Sequence, residues 1–210
     1  MTTIMLTRHG ETEWNVGEVF RGRIDIGLNE IGLRQASLLS GYLTDINIEA
    51  IYSSPLQRAF KTAELIAQPH HLEVKAAPGL IDFSFGEWQG LHIEVVKERY
   101  PAAFQEWATR PQRVIIPGGE SLSNVRKRTM TLIRKIIAQH TGTVVLVSHR
   151  AVNKVLICAL LGLNNSHFWN VRQDNCGLTT FTYDNNRFVL VEHNNTCFLQ
   201  SLRAAKLADF

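Results

Sequence analysis

The sequence has no apolar stretch long enough to span a bilayer, no Lys/Arg-rich block, no C-x-x-C pair and no G-x-x-x-x-G-K-[ST] loop. Each absence excludes something. A membrane span needs about 18 or more consecutive apolar residues. The formal net charge is only +3, from 22 Lys and Arg against 19 Asp and Glu, so charge-driven binding of nucleic acid is not expected. The densest basic run, Arg126-Lys127-Arg128, falls in a helical pattern and reads as a solvated face. Without a P-loop or an EF-hand pattern, nucleotide and calcium machinery have no motif support. Cys158, Cys176 and Cys197 are odd in number and widely spaced, which fits unpaired thiols in a reducing compartment. Cys158 lies inside the apolar run 155–161, where a buried structural thiol is the default. Met1-Thr2-Thr3 leads straight into a strand-like segment with no basic flank and no long apolar core, so the expected location is cytoplasmic. His70, His71, His92, His140, His167 and His193 show no metal-ligand spacing, and no metal or cofactor is expected.

What is present is a regular alternation of short apolar runs and amphipathic stretches. Residues 3–7 form an apolar-rich run ending at Arg8-His9-Gly10, read as a buried strand feeding a loop. Asn29 is placed to cap a helix running to about Leu43. Ala50-Ile51-Tyr52 is strand-like, and Ser53-Ser54-Pro55 reads as a serine cap with proline in the first turn of a helix carrying Arg58. Leu72-Glu73-Val74 suggests a further short strand. Residues 120–139 repeat apolar side chains at helical spacing. Thr143-Val144-Val145-Leu146-Val147 is the β-branched run of a strand covered on both faces. It ends at Ser148-His149 before another helix, and two last strands flank the turn Asp184-Asn185-Asn186. The expectation is a single α/β domain over residues 1–210, three-layer α/β/α around a mainly parallel sheet. Residues 79–119, where aromatics interleave with charges and prolines, are read as a small helical cap inserted into it.

Three of these strands end in polar signals: Arg8-His9-Gly10, Ser53-Ser54-Pro55 leading to Arg58, and Ser148-His149. Ligands of open α/β sheets bind beyond the carboxyl ends of the strands. If the three strands are parallel neighbours, two histidines and two arginines meet at one edge and form an anion site. Arginine's planar fork matches phosphate oxygens. A histidine among such cations is held neutral, as a nucleophile must be.

Thr7-Arg8-His9-Gly10-Glu11-Thr12-Glu13-Trp14-Asn15 resembles the signature of the histidine phosphatase superfamily, in its phosphoglycerate mutase-like branch. Further segments resemble that family in order: Phe20-Arg21-Gly22-Arg23-Ile24-Asp25, Tyr52-Ser53-Ser54-Pro55-Leu56-Gln57-Arg58-Ala59, Phe85-Gly86-Glu87-Trp88, Pro117-Gly118-Gly119-Glu120-Ser121 and Val147-Ser148-His149. The resemblance implies that His9 takes the phosphoryl group and that Arg8, Asn15, Arg58 and His149 surround it. Arg21 and Gly22 would then lie near the rest of a small phosphorylated metabolite. Asp82 stands where this branch usually has a glutamate proton donor, with Glu87 as the fallback. Arg150 follows the second histidine, where glycine is common in the family.

The implied activity is hydrolysis of a phosphomonoester without metal. The rival readings are a mutase, which returns the phosphoryl group to another hydroxyl, and an inactive phosphate-binding scaffold. Residues 91–113 are short, as in the phosphatases of the family. The C-terminal half resembles metal-independent phosphoserine phosphatases, which tend to carry histidines where Phe85 and Phe198 stand here. That change weighs against strict phosphoserine specificity, although phosphoserine stays a leading candidate. Of the aromatics Phe83, Phe85, Trp88, Phe104 and Trp107, most are expected in the core and some as pocket walls favouring a substrate with an apolar part. A homodimer is common in such families, and no segment here demands one.

Overall fold

The computed structural model describes residues 1–202. Its strands are β1 (Thr2–Arg8), β2 (Ile48–Ser53), β3 (Val74–Ala76), β4 (Thr143–Ser148), β5 (Leu178–Asp184) and β6 (Arg187–Asn195). They form one sheet in the order β3-β2-β4-β1-β5-β6. The first four in that order are parallel, and β5 and β6 add an antiparallel pair at one edge. The sheet is therefore mixed and mostly parallel, with helices on both faces, as the alternating pattern predicts. β1, β2 and β4, which end in the polar signals, are consecutive neighbours.

The faces of the sheet follow the two-residue period of a strand. Ile4 and Leu6 of β1 pack with Val144 and Leu146 of β4 on one side, against Ile133 and Ile136 and against Leu156. Val145 and Val147 point to the other side, against Leu39, Leu43, Ala59 and Ala63. Helix α1 (Glu13–Val16) is a single turn after the His9 loop, and the longer helices present matching stripes. In α2 (Glu30–Leu43) the buried residues Gly32, Ala36, Leu39 and Leu43 recur at intervals of three and four, and Asn29 accepts a hydrogen bond from the Gly32 amide. In α6 (Leu122–Gln139) the stripe is Leu122, Val125, Thr129, Ile133 and Ile136, and Ser121 caps the helix through the Asn124 amide. α7 (Arg150–Leu160) is buried along most of its length. The β5–β6 hairpin closes through Asn185 and Asn186, both with positive φ (47° and 60°). Asparagine tolerates this conformation better than other residues with a Cβ, and tight hairpins require it.

One local reading changes. Residues 53–55 do not cap the following helix, because α3 (Gln57–Ala67) starts after Leu56 with no side-chain cap. Ser54 is occupied elsewhere, as described below. Between β3 and α6 lie α4 (Ile93–Arg99), α5 (Pro101–Thr109) and short 3-10 turns. They gather a third apolar cluster around Phe83, Trp88, Trp107, Leu122, Val125 and Val152.

Candidate active site

The backbone ladders extend beyond the carboxyl ends of the parallel strands and fix the two histidines. Arg8 registers with Ser148, the His9 amide donates to the Ser148 carbonyl at 3.0 Å, and the Ser54 amide donates to the Val147 carbonyl at 3.0 Å. The His9 and His149 rings lie 5.2 Å apart, centre to centre, tilted by 58°. Both are buried.

His9 Nδ1 lies 2.6 Å from the Gly10 carbonyl. A carbonyl only accepts, so Nδ1 carries the proton and Nε2 keeps its lone pair. Burial first, then Arg58, His149, Arg8 and Arg21, push the His9 pKa well below its usual 6.5. His149 is lowered in the same direction, by burial, then Arg58, Arg21 and Arg8. Both imidazoles are therefore neutral near pH 7. The loop carrying His9 is seated by backbone contact. A Cβ added to Gly10 would lie 2.4 Å from the Gly32 carbonyl oxygen, and one on Gly32 would lie 2.1 Å from the Glu11 oxygen. Thr62 supports the loop by accepting from the Gly10 amide at 3.1 Å, and Asn175 Nδ2 donates to the His9 carbonyl at 3.0 Å.

Arg58, fully buried, is held by three acceptors: the Gly22 carbonyl at 2.8 Å, the Ile24 carbonyl at 3.0 Å and Asp82 Oδ2 at 3.0 Å. Arg8 donates to the Gln173 carbonyl at 3.2 Å. The Nε atoms of Arg8, Arg21 and Arg58 and Nδ1 of His149 are buried and make no hydrogen bond in the protein. Burial lowers the Arg8 pKa to about 9 and the Arg21 pKa to about 10, still cationic at pH 7. Unpaired buried donors are costly. This group is suited to anionic oxygens, which accept charge-assisted hydrogen bonds.

Asp82 enters the same group. Its Oδ1 accepts from the Phe83 amide at 2.8 Å, and Oδ2 lies 3.4 Å from His149 Nδ1, in ion-pair range without hydrogen-bond geometry. Its carbonyl accepts from Arg23 and Arg128, both of which also pair with Glu120. Glu87 is different: it is exposed and accepts from the Tyr100 hydroxyl at 2.8 Å. Asp82 and not Glu87 lines the cleft.

That cleft has a volume of about 260 Å³, and Asn15, Arg21 and Gly22 line it with Asp82. Asn15 Oδ1 is engaged by the Thr12 amide and hydroxyl, both at 3.0 Å. Gly22 has φ +53°, and a Cβ there would strike Gln89 Oε1 at 2.1 Å; the same turn aims its carbonyl at Arg58. The walls are apolar and include Trp14, Phe20, Phe85, Trp107, Phe168 and Trp169. Phe83 and Trp88 are core residues, fully buried. Phe198 stacks on Tyr42, ring centres 5.0 Å apart, beside the cluster of α2 and α3.

Sequence reasoning passed over Ser54, whose Oγ lies 2.7 Å from His149 Nε2 while accepting from the Leu56 amide at 3.3 Å. It also passed over the Phe168-Trp169 wall. The signal there was an aromatic pair inside a polar turn, Asn164 to Asn170.

Among the described residues no group of three or more His, Cys, Asp or Glu could hold a metal ion, and no helix is long and apolar enough to cross a membrane.

Comparison with known proteins identifies the family. Residues 4–196 match the family model of the histidine phosphatase superfamily, branch 1. Phosphoserine phosphatase 1 of Hydrogenobacter thermophilus is 38% identical over 200 residues, covering 95% of each chain. Among solved structures, YhfR of Bacillus stearothermophilus superposes with a TM-score of 0.91 at 28% identity, over 95% of this chain and all of that one. A mutant phosphoserine phosphatase of Entamoeba histolytica, in complex with phosphoserine, gives 0.85 at 31% identity over 95% and 100% of the two chains. With the family model matched over residues 4–196 and a relative 38% identical over 95% of each chain, the chain belongs to branch 1 of the histidine phosphatase superfamily.

Proposed function

We propose that this phosphatase hydrolyses monoesters of small phosphorylated metabolites through a phosphohistidine on His9. One observation carries the reading. The lone pair of His9 Nε2, fixed by the Gly10 contact, belongs to a buried group in which three arginine Nε atoms and His149 Nδ1 have no protein acceptor. A nucleophile and the donors that neutralise phosphoryl oxygens are thus preorganised together, which is most of what phosphoryl transfer requires.

In the first step His9 Nε2 forms a bond to phosphorus as the ester P–O bond breaks, and Asp82, which enters this step protonated, gives its proton to the leaving oxygen. Arg8, Arg21, Arg58 and His149 hold the oxygens of the transferring group. In the second step Asp82 takes a proton from water, the hydroxide forms the new P–O bond, and the P–N bond breaks to restore neutral His9. Arg58 links the two roles, since one guanidinium serves the phosphoryl group while binding Asp82 at 3.0 Å. Ser54 supports His149 from behind and leaves Nδ1 facing the group. The enzyme is assigned to the cytoplasm, a reading supported by three unpaired cysteines. Phosphoserine and 3-phosphoglycerate, both bound by the Entamoeba relative, are the first substrates to try.

The test is phosphate release in the presence of EDTA from phosphoserine, 3-phosphoglycerate and p-nitrophenyl phosphate, for wild type and His9→Ala. Release by wild type, lost in the variant, is the expected result. Equal release by both proteins would remove His9 from the chemistry. No phosphate release from any ester, with 3-phosphoglycerate isomerised to 2-phosphoglycerate once a bisphosphoglycerate primer is added, would indicate a mutase.

A further inference from the structure

Beyond the group that faces the phosphoryl oxygens, two cations that the proposed chemistry does not use lie against the Phe168-Trp169 wall, and Arg150 among them lines the cleft. Arg150, the first residue of α7, lines the cleft. Its guanidinium carbon lies 6.0 Å from the centre of the Trp169 ring, and it makes no hydrogen bond or ion pair among the described residues. One turn later Lys154 is buried, with Nζ 4.6 Å from the Trp169 ring centre and 5.1 Å from that of Phe168. It too has no carboxylate partner among the described residues. An ammonium on a largely buried side chain, facing two aromatic rings and no carboxylate, gains from an anion brought near it. Burial, then Arg150 and Arg8, lower its pKa to about 8, which leaves it mostly charged at pH 7.

Arg8, Arg21, Arg58, Arg150 and Lys154 feel one another across this end of the sheet. The carboxylates close to them are Asp82, taken by Arg58, and Asp174, taken by Arg172 at 2.9 Å and by Asn194 Nδ2 at 2.9 Å. Glu18 also lines the cleft but forms no ion pair among the described residues. A phosphoryl dianion neutralises only part of this excess. Trp169 is also anchored, its Nε1 donating to the Trp107 carbonyl at 2.7 Å, so the ring that both cations face is held in place.

We propose that Arg150, backed by Lys154, binds a carboxylate on the leaving-group side of the substrate, so that phosphorylated hydroxy acids are preferred over phosphates of neutral alcohols. The proposal rests on reading this cleft as a phosphatase site. Arg150 is the specificity-determining contact, and Lys154 is a positioning residue that holds the aromatic wall and adds to the field.

A matched pair of ligands tests it. 3-Phosphoglycerate and glycerol 3-phosphate differ in a carboxylate against a hydroxymethyl group. Calorimetry on full-length His9→Ala, which cannot turn either over, gives the ratio of their dissociation constants. A preference of about 10- to 100-fold for 3-phosphoglycerate is expected, the range of a charge-assisted hydrogen-bonded contact. Adding Arg150→Ala should lower that ratio about tenfold, Arg150→Lys should restore part of it, and Lys154→Met should lower it less. No preference in the parent, or a ratio unmoved by Arg150→Ala, overturns the proposal. The phosphatase reading fails separately. Wild type releasing no phosphate while the ratio persists would reject the chemistry and keep the carboxylate site. Phosphate release with a ratio near one would do the reverse.

Discussion

Replacing Asp82 by Asn tests the proton donor most directly, and its two effects can be sized from the contacts. The carboxylate uses both oxygens, Oδ1 for the Phe83 amide at 2.8 Å and Oδ2 for Arg58 Nη2 at 3.0 Å. Asparagine has one oxygen, so either the amide or the guanidinium faces an NH₂ group. One buried donor left without an acceptor costs about 1–3 kcal/mol. At roughly 2–4 °C per kcal/mol for a chain of this size, the melting temperature should fall by about 2–12 °C. The protein should still fold, because Arg58 keeps the Gly22 and Ile24 carbonyls. The catalytic effect is separable. Loss of a general acid costs about 10²- to 10⁴-fold where the leaving oxygen needs a proton. An alkyl ester such as glycerol phosphate needs it, whereas p-nitrophenolate departs without one. Values of kcat/KM on the two esters, which report the step up to departure of the alcohol and not the later hydrolysis of the phosphohistidine, should therefore show a fall at least about tenfold larger for the alkyl ester. The small loss on the aryl ester measures the disturbance of Arg58. Equal losses on both would refute the acid role and leave Asp82 as an anchor for Arg58. Glu87→Gln, changed on the exposed side beside Tyr100, should leave both rates within about twofold.

Other outcomes follow from the same contacts. His9 and His149 have folded-state pKa values below 6.5, so the unfolded chain binds more protons, and stability should fall as pH drops from about 6.5 toward the folded-state values. Each group contributes up to about 1.4 kcal/mol per pH unit, and urea midpoints for His9→Asn should show a shallower decline than wild type. A slope unchanged by His9→Asn would contradict the buried neutral imidazole. Gly32→Ala sets a Cβ against the Glu11 backbone at 2.1 Å; it should destabilise the fold by about 1–3 kcal/mol and lower phosphatase activity through the His9 loop, as chemical denaturation and phosphate release would report. Of the three thiols, only Cys197 is exposed, while Cys158 and Cys176 are buried. A thiol titration of the native protein should give one fast equivalent and three after denaturation.

Much of this molecule was legible in its residues because period and chemistry coincide there. The β-branched run of β4 and the short run of β1 are each followed directly by a histidine, and parallel pairing of these neighbours brings Arg8 level with Ser148. The amphipathic stripes of α2 and α6 match their buried residues. What was hidden is what depends on tertiary position. Ser54 reads as a cap because serine before proline commonly is one, yet its hydroxyl is taken by His149 across 95 positions of chain. Glu87 and Asp82 could not be separated by residue type, since only the turn at residues 86–88 sends Glu87 toward Tyr100. The cleft wall draws on Trp14, Phe85, Trp107 and Trp169, four separate stretches that share no period.

The meeting of Gly10 with Gly32 carries a consequence for how such an enzyme can change over generations. Where two backbones touch with no side chain between them, there is nothing to vary by a methyl group at a time. Any larger residue pushes the floor under His9 rather than adjusting it. The aromatic wall is the opposite, made of side chains whose size and charge can drift while the floor stays still. Selectivity in this chain can therefore be rewritten from residues such as Phe85, Arg150 and Trp169 without renegotiating the reaction.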